Sequence, residues 1–350
     1  MEKYVPLNKG IAYHGNRMLA HIRADMEEIM RAGFNTVVHM FTHNDWDRHK
    51  TIMKEIFEIT KSFGLDVWVD NWGLGGPPGD LSHFLAAHPE AHQYYNNGEM
   101  DPIRACYNAP SFRQFTKDWI DVVREAGGTK IFWDEPHLVG QEWIDKLTPG
   151  KWTCHCKECE RLFEERYHKP MPKEYSPEVA EFREWTVVNY FTMAADYAKS
   201  LGMYNSVCMM LGGYYGVDVK EMCSVPSLDN VGSDPYWTDE VGYQEVYRYV
   251  YEKTKLNLDI CEKYQKDHNV WIKTYNNPIG REEEIIAAAD AMYDAGARNI
   301  FAWSFRGADA NDYRAKNPGR TWEITKEAYR RITDRDRDAQ LAFARAQIGK

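Results

Sequence analysis

Eight short apolar segments, separated by helical stretches, constrain the fold of this 350-residue chain more than any other feature. Most of them are nearly continuous apolar runs, which is typical of parallel strands that are covered on both faces. They comprise residues 10–15, 35–41, 65–71, 130–135, 205–211, 230–234, 270–276 and 299–305. Eight strands alternating with helices predict an α/β fold of the (β/α)8 barrel class, and a doubly wound open sheet is the alternative.

The helical stretches carry apolar residues at the spacing of one helix face and end in glycine. Ile22 and Met26 belong to such a stripe, which stops at Gly33, and similar helices end at Gly64 and Gly296. Glycine is a common residue just after a helix because it accepts the left-handed backbone conformation found there. The order of helix, glycine and strand therefore occurs three times, as repeated βα units require.

Two segments are longer than a minimal βα unit needs. Residues 72–110 follow the third strand, and residues 136–177 follow the fourth. Loops that follow barrel strands lie on the face where barrel enzymes build their sites. We therefore predict one barrel domain over residues 1–331 with long insertions after strands three and four, followed by a charged tail or helix over residues 332–350.

The composition limits the classes of partner. A net charge of −10 disfavours a nucleic-acid partner, which requires a basic surface. The first ten residues lack the apolar core of a signal peptide, and no apolar run approaches the roughly 18 residues of a membrane span. We expect a cytoplasmic protein without a membrane partner, and its oligomeric state stays open. Residues 73–79 are glycine-rich but lack the following Lys-Ser/Thr of a phosphate loop, so no organic cofactor is expected.

The fourth strand ends on two acids, Asp134 and Glu135. Because burial of ionised carboxylates is costly, acids at the end of an apolar strand indicate a polar site. Neighbouring strand residues point in opposite directions, so these two are not expected to pair with each other in catalysis. Glycosidic cleavage needs two carboxyl groups, and we predict Glu135 as the general acid/base. The nucleophile or base is predicted to be Asp234, with Asp70 and Asp134 as alternatives.

Aromatic and polar residues lie at or near the ends of several other predicted strands. Tryptophan faces can stack on sugar rings, while carboxylates, amides and imidazoles bind hydroxyl groups. Together they predict a sugar pocket on the carboxyl face of the barrel. The predicted substrate-binding residues are His14, His39, Asp70, Asn71, Trp72, Trp133, His137, Trp237, Tyr275, Asn276, Trp303 and Arg306.

Three cysteines lie within six residues of the second insertion. The spacing of Cys154, Cys156 and Cys159 lets three thiolates face one point, and Cys106 from the first insertion is the expected fourth ligand. His155 is the fallback ligand, and unpaired thiols are the alternative to a metal. Zinc prefers four tetrahedral ligands, and a four-thiolate site has no open position. The pattern therefore predicts a structural zinc and not a catalytic one.

This cysteine pattern resembles that of family 42 glycoside hydrolases, the β-galactosidases of clan A. The resemblance rests on one cysteine after strand three, Cys-x-Cys-x-x-Cys after strand four, and the nearby Phe163, Arg166 and Tyr167. It implies a (β/α)8 barrel in which these cysteines hold a structural zinc. It also maps the acid/base glutamate of that family onto Glu135, and Trp303 resembles a tryptophan on strand eight of clan A barrels.

The chain departs from that family at two positions. Asp134 stands where the family has asparagine before its acid/base glutamate, and the seventh strand lacks the glutamate nucleophile. The resemblance therefore does not imply β-galactosidase activity. A weaker resemblance, to the barrel α-galactosidases and α-glucosidases, implies Asp134 as nucleophile and Asp234 as acid/base.

Three functions compete on these grounds. A glycoside hydrolase that cleaves an O-glycosidic bond is the first. A sugar-binding barrel without catalysis is the second, because the seventh strand lacks an acid. The third is a metal-dependent sugar isomerase or aldolase-type barrel, with His14, His39 or His43 and Asp70 as ligands.

Overall fold

The computed structural model describes residues 4–14, 16–73, 82–135, 138–139, 149–211, 217–238 and 241–348. Its strands are β1 (Asn8–Tyr13), β2 (Thr36–Met40), β3 (Asp66–Asp70), β4 (His92–Tyr94), β5 (Met100–Ala105), β6 (Lys130–Asp134), β7 (Tyr204–Met209), β8 (Asn230–Ser233), β9 (Val270–Lys273) and β10 (Asn299–Trp303). Eight of them close a barrel in the order β1-β2-β3-β6-β7-β8-β9-β10, with β10 pairing back to β1. The short strands β4 and β5 form a separate antiparallel sheet.

The closed sheet confirms the predicted (β/α)8 barrel and excludes the open-sheet alternative. Each predicted segment contains or overlaps one barrel strand, and the ends differ by three residues or fewer. The strands are buried along most of their length, as in β2, where all five residues are buried. Burial on both faces explains why these strands are apolar at consecutive positions and do not alternate with polar residues.

The helices follow the barrel strands and fill the two insertions. They are α1 (Leu19–Arg31), α2 (His43–Ser62), α3 (Phe84–Ala87), α4 (Pro110–Glu125), α5 (Lys157–Tyr167), α6 (Pro177–Ser200), α7 (Val219–Cys223), α8 (Val246–Lys263), α9 (Glu284–Asp294) and α10 (Pro318–Ile348). Short 3-10 turns occupy Pro89–Ala91, Tyr243–Glu245 and Phe305–Ala308. None of the helices in the described part of the chain is long and apolar enough to cross a membrane.

Local sequence signals account for several helix ends. Ser176 begins α6 by accepting a hydrogen bond from the backbone of Val179, and Asp218 and Glu221 form a capping box at α7. Such caps satisfy backbone N–H groups that have no partner in the first turn. Gly33 follows α1 with φ of 89°, which confirms the glycine stop expected there.

The chain divides into two compact units. The first comprises Met1–Met40, Glu55–Trp68 and Gly232–Lys350, and the second comprises Phe41–Lys54 and Val69–Val231. In the first unit the ring of Phe301 lies 5.0 Å from Trp68 and 5.2 Å from Trp271. A Cβ atom on Gly10 would lie 2.4 Å from the Phe301 ring, so glycine is required for this packing. Four strands thus contribute to one apolar layer inside the barrel.

The second unit has its own aromatic core. Trp133 of β6 packs against Trp119 of α4 and Phe191 of α6, with ring centroids 5.7 Å apart in both pairs. The indole N–H of Trp133 donates to Asn205 Oδ1 at 3.3 Å, and that of Trp119 donates to the carbonyl of Phe41 at 2.9 Å. These contacts fix the outer face of β6 against its helices and so set the orientation of its last residue.

Candidate functional site

Asp134 is the last residue of β6 and faces the interior of the barrel. Because neighbouring strand residues point to opposite sides, the outward position of Trp133 turns Asp134 inward. The backbone N–H of Asp134 donates to Asn71 Oδ1 at 3.3 Å, which ties the end of β6 to the residue that follows β3. Glu135 comes next with φ of 36°, so the chain turns sharply as the strand ends.

The carboxyl groups of Asp134 and Glu135 influence each other. Burial, and then the negative charge of Glu135, raise the pKa of Asp134 well above its ordinary value. Two carboxyl groups that interact in this way lose their protons in two separate steps that belong to the pair. Both effects favour the protonated form of the Asp134 carboxyl group.

Asp70 lies on the same face as Asp134. It ends β3, is fully buried, and stands beside Phe132 in the parallel register of β3 and β6. Phe132 and Asp134 are two residues apart on β6 and so share one face. The second unit thus presents two aspartates, followed by Asn71 and Glu135, at the carboxyl ends of adjacent strands.

The first unit brings His14 and Trp303 together. Their rings are 4.6 Å apart in an edge-to-face arrangement, and Trp303 lies 6.0 Å from Trp271 of the inner layer. Burial, together with the charge of Arg17, lowers the pKa of His14 to about 3. His14 is therefore a neutral imidazole at neutral pH and can bind a hydroxyl group without bringing a charge into the barrel.

A second cluster in the same unit surrounds the end of β9. The Nζ atom of Lys273 lies 3.2 Å from the carbonyl oxygen of Trp237 and 5.9 Å from the ring centre of Tyr275. Tyr275 packs edge-to-face on Tyr236 at 5.4 Å. Asp234 follows β8 and is 7% exposed. Lys273 was not among the predicted residues, although a lysine that ends an apolar strand is a signal that could have identified it.

Three of the residues predicted to contact sugar are buried, and their side chains pack on or bond to residues of the helices. His39 is 1% exposed, with Nε2 2.9 Å from Thr60 Oγ1 and its ring 5.6 Å from Phe57 of α2. Burial, with the charge of Arg17, lowers the pKa of His39 to about 3. Trp133 packs against α4 and α6, as described above.

The third of these residues is Trp237. It is 2% exposed, and its indole N–H donates to Glu284 Oε2 of α9 at 2.5 Å. Strand alternation turns His39 and Trp133 toward the helices, and the indole of Trp237 is bonded to α9. Sugar contact by these three residues stays a prediction.

The other residues predicted to contact sugar differ in their surroundings. Arg306 forms an ion pair with Glu28 of α1, and the backbone N–H of Asn276 donates to the carbonyl of Tyr313 at 2.8 Å. Trp72 is partly exposed, and His137 lies outside the described residues. Sugar contact by these four residues stays a prediction.

A cavity of about 490 Å³ in the first unit adjoins the ends of β1 and β10. Arg306 and Ala308 of its lining have φ of 49° and 61°, which is the left-handed region. Backbone strain of this kind at non-glycine residues clusters at functional sites. The polar residues of the lining include His14, Asn16, His21, Asp25, Arg306 and Asp309.

The four predicted cysteines meet in one buried cluster of the second unit. Their sulfur atoms all lie within 4.8 Å of one another, and no cysteine is more than 6% exposed. Cys106 Sγ lies 3.4 Å from Cys159 Sγ and 3.6 Å from Cys156 Sγ. These separations are far longer than a disulfide bond of about 2.05 Å. The cluster is therefore a possible metal site, as the spacing predicted.

Residues around the cysteine cluster support its geometry. Asn108 donates to two sulfurs, with its backbone N–H 3.4 Å from Cys106 Sγ and its side-chain amide 3.3 Å from Cys159 Sγ. His155, the fallback ligand, instead pairs with Glu160 at 2.9 Å. The neighbouring thiols lower the pKa of Cys156 far below that of an ordinary cysteine. Asn108 was not predicted, because nothing in its local sequence marks it as a partner of a thiolate.

A buried arginine links this cluster to the segment after β6. Arg183 of α6 is 2% exposed and donates to the carbonyl of Thr153 at 2.6 Å and to that of Val139 at 2.5 Å. Its third donor reaches the hydroxyl of Tyr175 at 3.1 Å. The Val139 N–H in turn donates to Thr153 Oγ1 at 3.1 Å. The residue before Cys154 and a residue four positions after Glu135 are thus held by one side chain.

Comparison with known proteins identifies the fold. No family model matches the sequence, and no curated protein sequence matches it. Among solved structures, the catalytic domain of β-amylase from Paenibacillus polymyxa superimposes with a TM-score of 0.63 at 9% identity, over 92% of this chain and 99% of that one. The endo-β-1,4-mannanase from Thermotoga petrophila gives a TM-score of 0.59 at 11% identity, over 95% and 77% of the two chains.

A further mannanase shows the same likeness. The endo-1,4-β-mannanase from Rhizomucor miehei has a TM-score of 0.59 at 10% identity, over 94% of this chain and 95% of that one. At this level of identity the likeness establishes the barrel and leaves the chemistry to be argued from the residues.

Proposed function

We propose that the chain is a glycoside hydrolase that cleaves an O-glycosidic bond with a pair of carboxyl groups, Glu135 being the general acid/base. The proposal rests on one observation, the two adjacent carboxyl groups of Asp134 and Glu135 at the carboxyl end of a barrel strand. Departure of a sugar alcohol requires a proton on the leaving oxygen, and a carboxyl group with a raised pKa can supply it at neutral pH.

Asp134 and Glu135 have different parts in this proposal. Asp134 is the residue of the two whose pKa is raised, and a carboxyl group that holds its proton is a poor nucleophile. Its raised pKa therefore favours a role in proton transfer over the nucleophilic role that the α-galactosidase resemblance implies. Glu135 has the longer side chain and lies beyond the strand, where it can reach a leaving group. We assign the donated proton to Glu135 and a supporting part in its transfer to Asp134.

The second carboxyl group stays a prediction. Asp234 is the first candidate because it follows a barrel strand and remains slightly exposed. Asp70 is the alternative, since it lies on the same face as Asp134. A retaining mechanism requires two carboxyl groups about 5–5.5 Å apart, and an inverting mechanism about 6.5–9.5 Å.

The sugar pocket is proposed from the residues that face the barrel interior. His14 and Trp303 offer a neutral imidazole and an indole in contact with each other. Stacking on aromatic faces and hydrogen bonds to hydroxyl groups are what a sugar requires. The β-amylase and the mannanases that share this fold support carbohydrate as the substrate class, and the sugar and its linkage stay open. The family 42 resemblance is kept as a finer proposal.

We also propose that the four cysteines hold one structural zinc ion. Four sulfurs at about 2.3 Å from a tetrahedral zinc are separated by about 3.8 Å. The observed separations of 3.4 and 3.6 Å are close to this value, so little movement is needed to admit the ion. The N–H groups of Asn108 fit the charge of zinc-bound thiolates. All four ligands come from the protein, so the ion would stabilise the insertions without taking part in the reaction.

The deciding experiment compares Glu135→Gln with wild type on glycosides of graded leaving-group pKa. The amide keeps the shape of the side chain and cannot donate the proton. We expect turnover of poor leaving groups to fall by roughly 10²–10⁴-fold, while activated aryl glycosides lose much less. Glu323→Gln on the exposed surface of α10 is the matched control and should have no effect.

Two outcomes would count against this function. Equal losses on good and poor leaving groups would mean that Glu135 binds or orients the sugar and is not the acid. Wild-type protein that binds sugars and turns over none of a broad set of glycosides would favour the sugar-binding barrel.

A further inference from the structure

Two histidines and an aspartate meet near the start of α2, apart from the cysteine cluster. His43 is the first residue of α2, and Asp47 follows it by four positions on the same face of the helix. His83 precedes α3 in the insertion after β3. One ligand atom from each of these three residues lies within 4.8 Å of the others.

The contacts within the group are polar and converge on Asp47. His83 Nε2 lies 2.8 Å from one carboxylate oxygen of Asp47, and His43 Nε2 lies 3.9 Å from the other. The two imidazole rings are stacked at 3.8 Å with an interplanar angle of 12°. The group therefore directs two ring nitrogens and one carboxylate toward a small common region.

His43 is held in place before any ligand binds. It is 7% exposed, and its ring packs against Phe115 at 4.6 Å and Trp46 at 5.6 Å. Its second nitrogen, Nδ1, lies 2.8 Å from Ser82 Oγ. A histidine that binds a metal commonly donates its other ring N–H to an oxygen acceptor, which fixes the tautomer and the ring orientation. Ser82 can fill that role and leaves Nε2 for the ion.

We propose that His43, Asp47 and His83 bind one divalent transition-metal ion, with the rest of its coordination sphere open to solvent. Imidazole and carboxylate ligands suit zinc and its neighbours in the first transition row, whereas magnesium prefers oxygen ligands alone. Three protein ligands with an open position are also the arrangement that leaves room for water or another small ligand.

The size of the group is compatible with such an ion. Two ligands at about 2.1 Å from a tetrahedral zinc are about 3.4 Å apart, so the most distant atoms must approach by roughly an ångström. The side chains of Asp47 and His83 are 40% and 58% exposed, so both can turn about their side-chain bonds. The buried His43 then serves as the fixed ligand onto which the two exposed ligands close.

Titration of the protein with Zn²⁺, followed by calorimetry and by the metal content after dialysis, tests the proposal. Wild type should bind one equivalent of Zn²⁺ more than His83→Ala or Asp47→Asn. Mg²⁺ should not compete with Zn²⁺ for this site. Ser82→Ala should lower the affinity for this Zn²⁺ ion by roughly 10–100-fold, which is typical for loss of a hydrogen bond to a metal-binding residue. Comparing variants of one chain makes the result independent of whether the cysteine cluster is filled.

His88→Ala is the matched control. His88 pairs with Glu90 at 3.3 Å on the surface, so this variant removes a histidine–carboxylate pair without touching the proposed site. It should bind as much Zn²⁺ as wild type, and Zn²⁺ should raise the melting temperature of both. An equal zinc content in wild type and His83→Ala would overturn the proposal. The contact between His83 and Asp47 in wild type would then be an ordinary ion pair. A loss of zinc in His88→Ala as large as that in His83→Ala would also overturn it, because adventitious surface binding would then explain both.

Discussion

Replacement of Arg183 by methionine should destabilise the protein by about 3 kcal/mol. The guanidinium is buried and donates to the carbonyls of Thr153 and Val139, two residues that are 0% and 1% exposed. Each buried carbonyl that loses its donor costs about 1–3 kcal/mol, which gives about 2–6 kcal/mol for the two. Methionine has a similar length and is apolar, so it fills part of the space without supplying a donor.

One contribution to the stability of Arg183→Met acts in the opposite direction. Burial lowers the pKa of Arg183, which means that the folded protein incurs a cost to keep this charge out of water. Methionine removes that cost, and replacing buried ions by apolar residues is sometimes neutral for this reason. Here the acceptors are backbone carbonyls that stay in place when the arginine is removed. We therefore expect the loss of hydrogen bonds to dominate. The free energy of unfolding should fall by about 3 kcal/mol, in the lower half of the range of about 2–6 kcal/mol.

The assay is urea unfolding followed by tryptophan fluorescence and by far-ultraviolet circular dichroism. Agreement of the two probes is required before a single free energy is extracted for a chain of this size. Arg161→Met on the exposed face of α5 is the matched control, because its ion pairs with Glu158 and Glu165 lie in solvent. That change should fall within about 0.5 kcal/mol of wild type. Equal free energies for Arg183→Met and Arg161→Met would refute the reasoning.

Other predictions concern the acids and the cysteines. Asp234→Asn should abolish turnover while sugar binding survives, and an activated fluorosugar that labels another carboxylate would contradict the assignment of Asp234. Cys156→Ser, or removal of zinc by a chelator, should lower the melting temperature and leave the pH profile of the remaining activity unchanged. Wild-type protein that contains no zinc by elemental analysis would refute the zinc site. The folded state holds the Asp134 proton to higher pH than the unfolded state, whose pKa is near 3.9, so this group should reduce stability as pH rises through that window. Asp134→Asn should remove that decrease, and an unchanged pH dependence of stability would contradict it.

The barrel could be predicted from sequence because its signal is repeated and local. Each strand is a short apolar run, each helix has one apolar face, and glycines such as Gly33 mark the ends of helices. Errors at single positions do not change the count of eight. The cysteine cluster was predictable for a similar reason, since three of its members lie within six residues, and only Cys106 had to be assigned across the chain.

The sugar-facing residues were harder to predict because the sequence indicates where a strand ends more clearly than which way each side chain points. Alternation was applied to Asp134 and Glu135, yet the same rule turns Trp133 away from Asp134 and onto α4 and α6. His39 was included as a strand-end polar residue, and its bond to Thr60 shows that it faces α2. Tertiary packing decides which side of the sheet each side chain points to. A polar residue on an apolar strand can satisfy its hydrogen bonds on either side.

Arg183 relates the proposed zinc site to the proposed acid. Zinc bound by four thiolates carries a net charge of −2, and a buried guanidinium beside the cysteine loop offsets part of it. The same guanidinium holds Val139, four residues after Glu135, and Thr153, one residue before Cys154. We therefore expect loss of the ion and loss of Arg183 to destabilise the same backbone, around Thr153 and Val139.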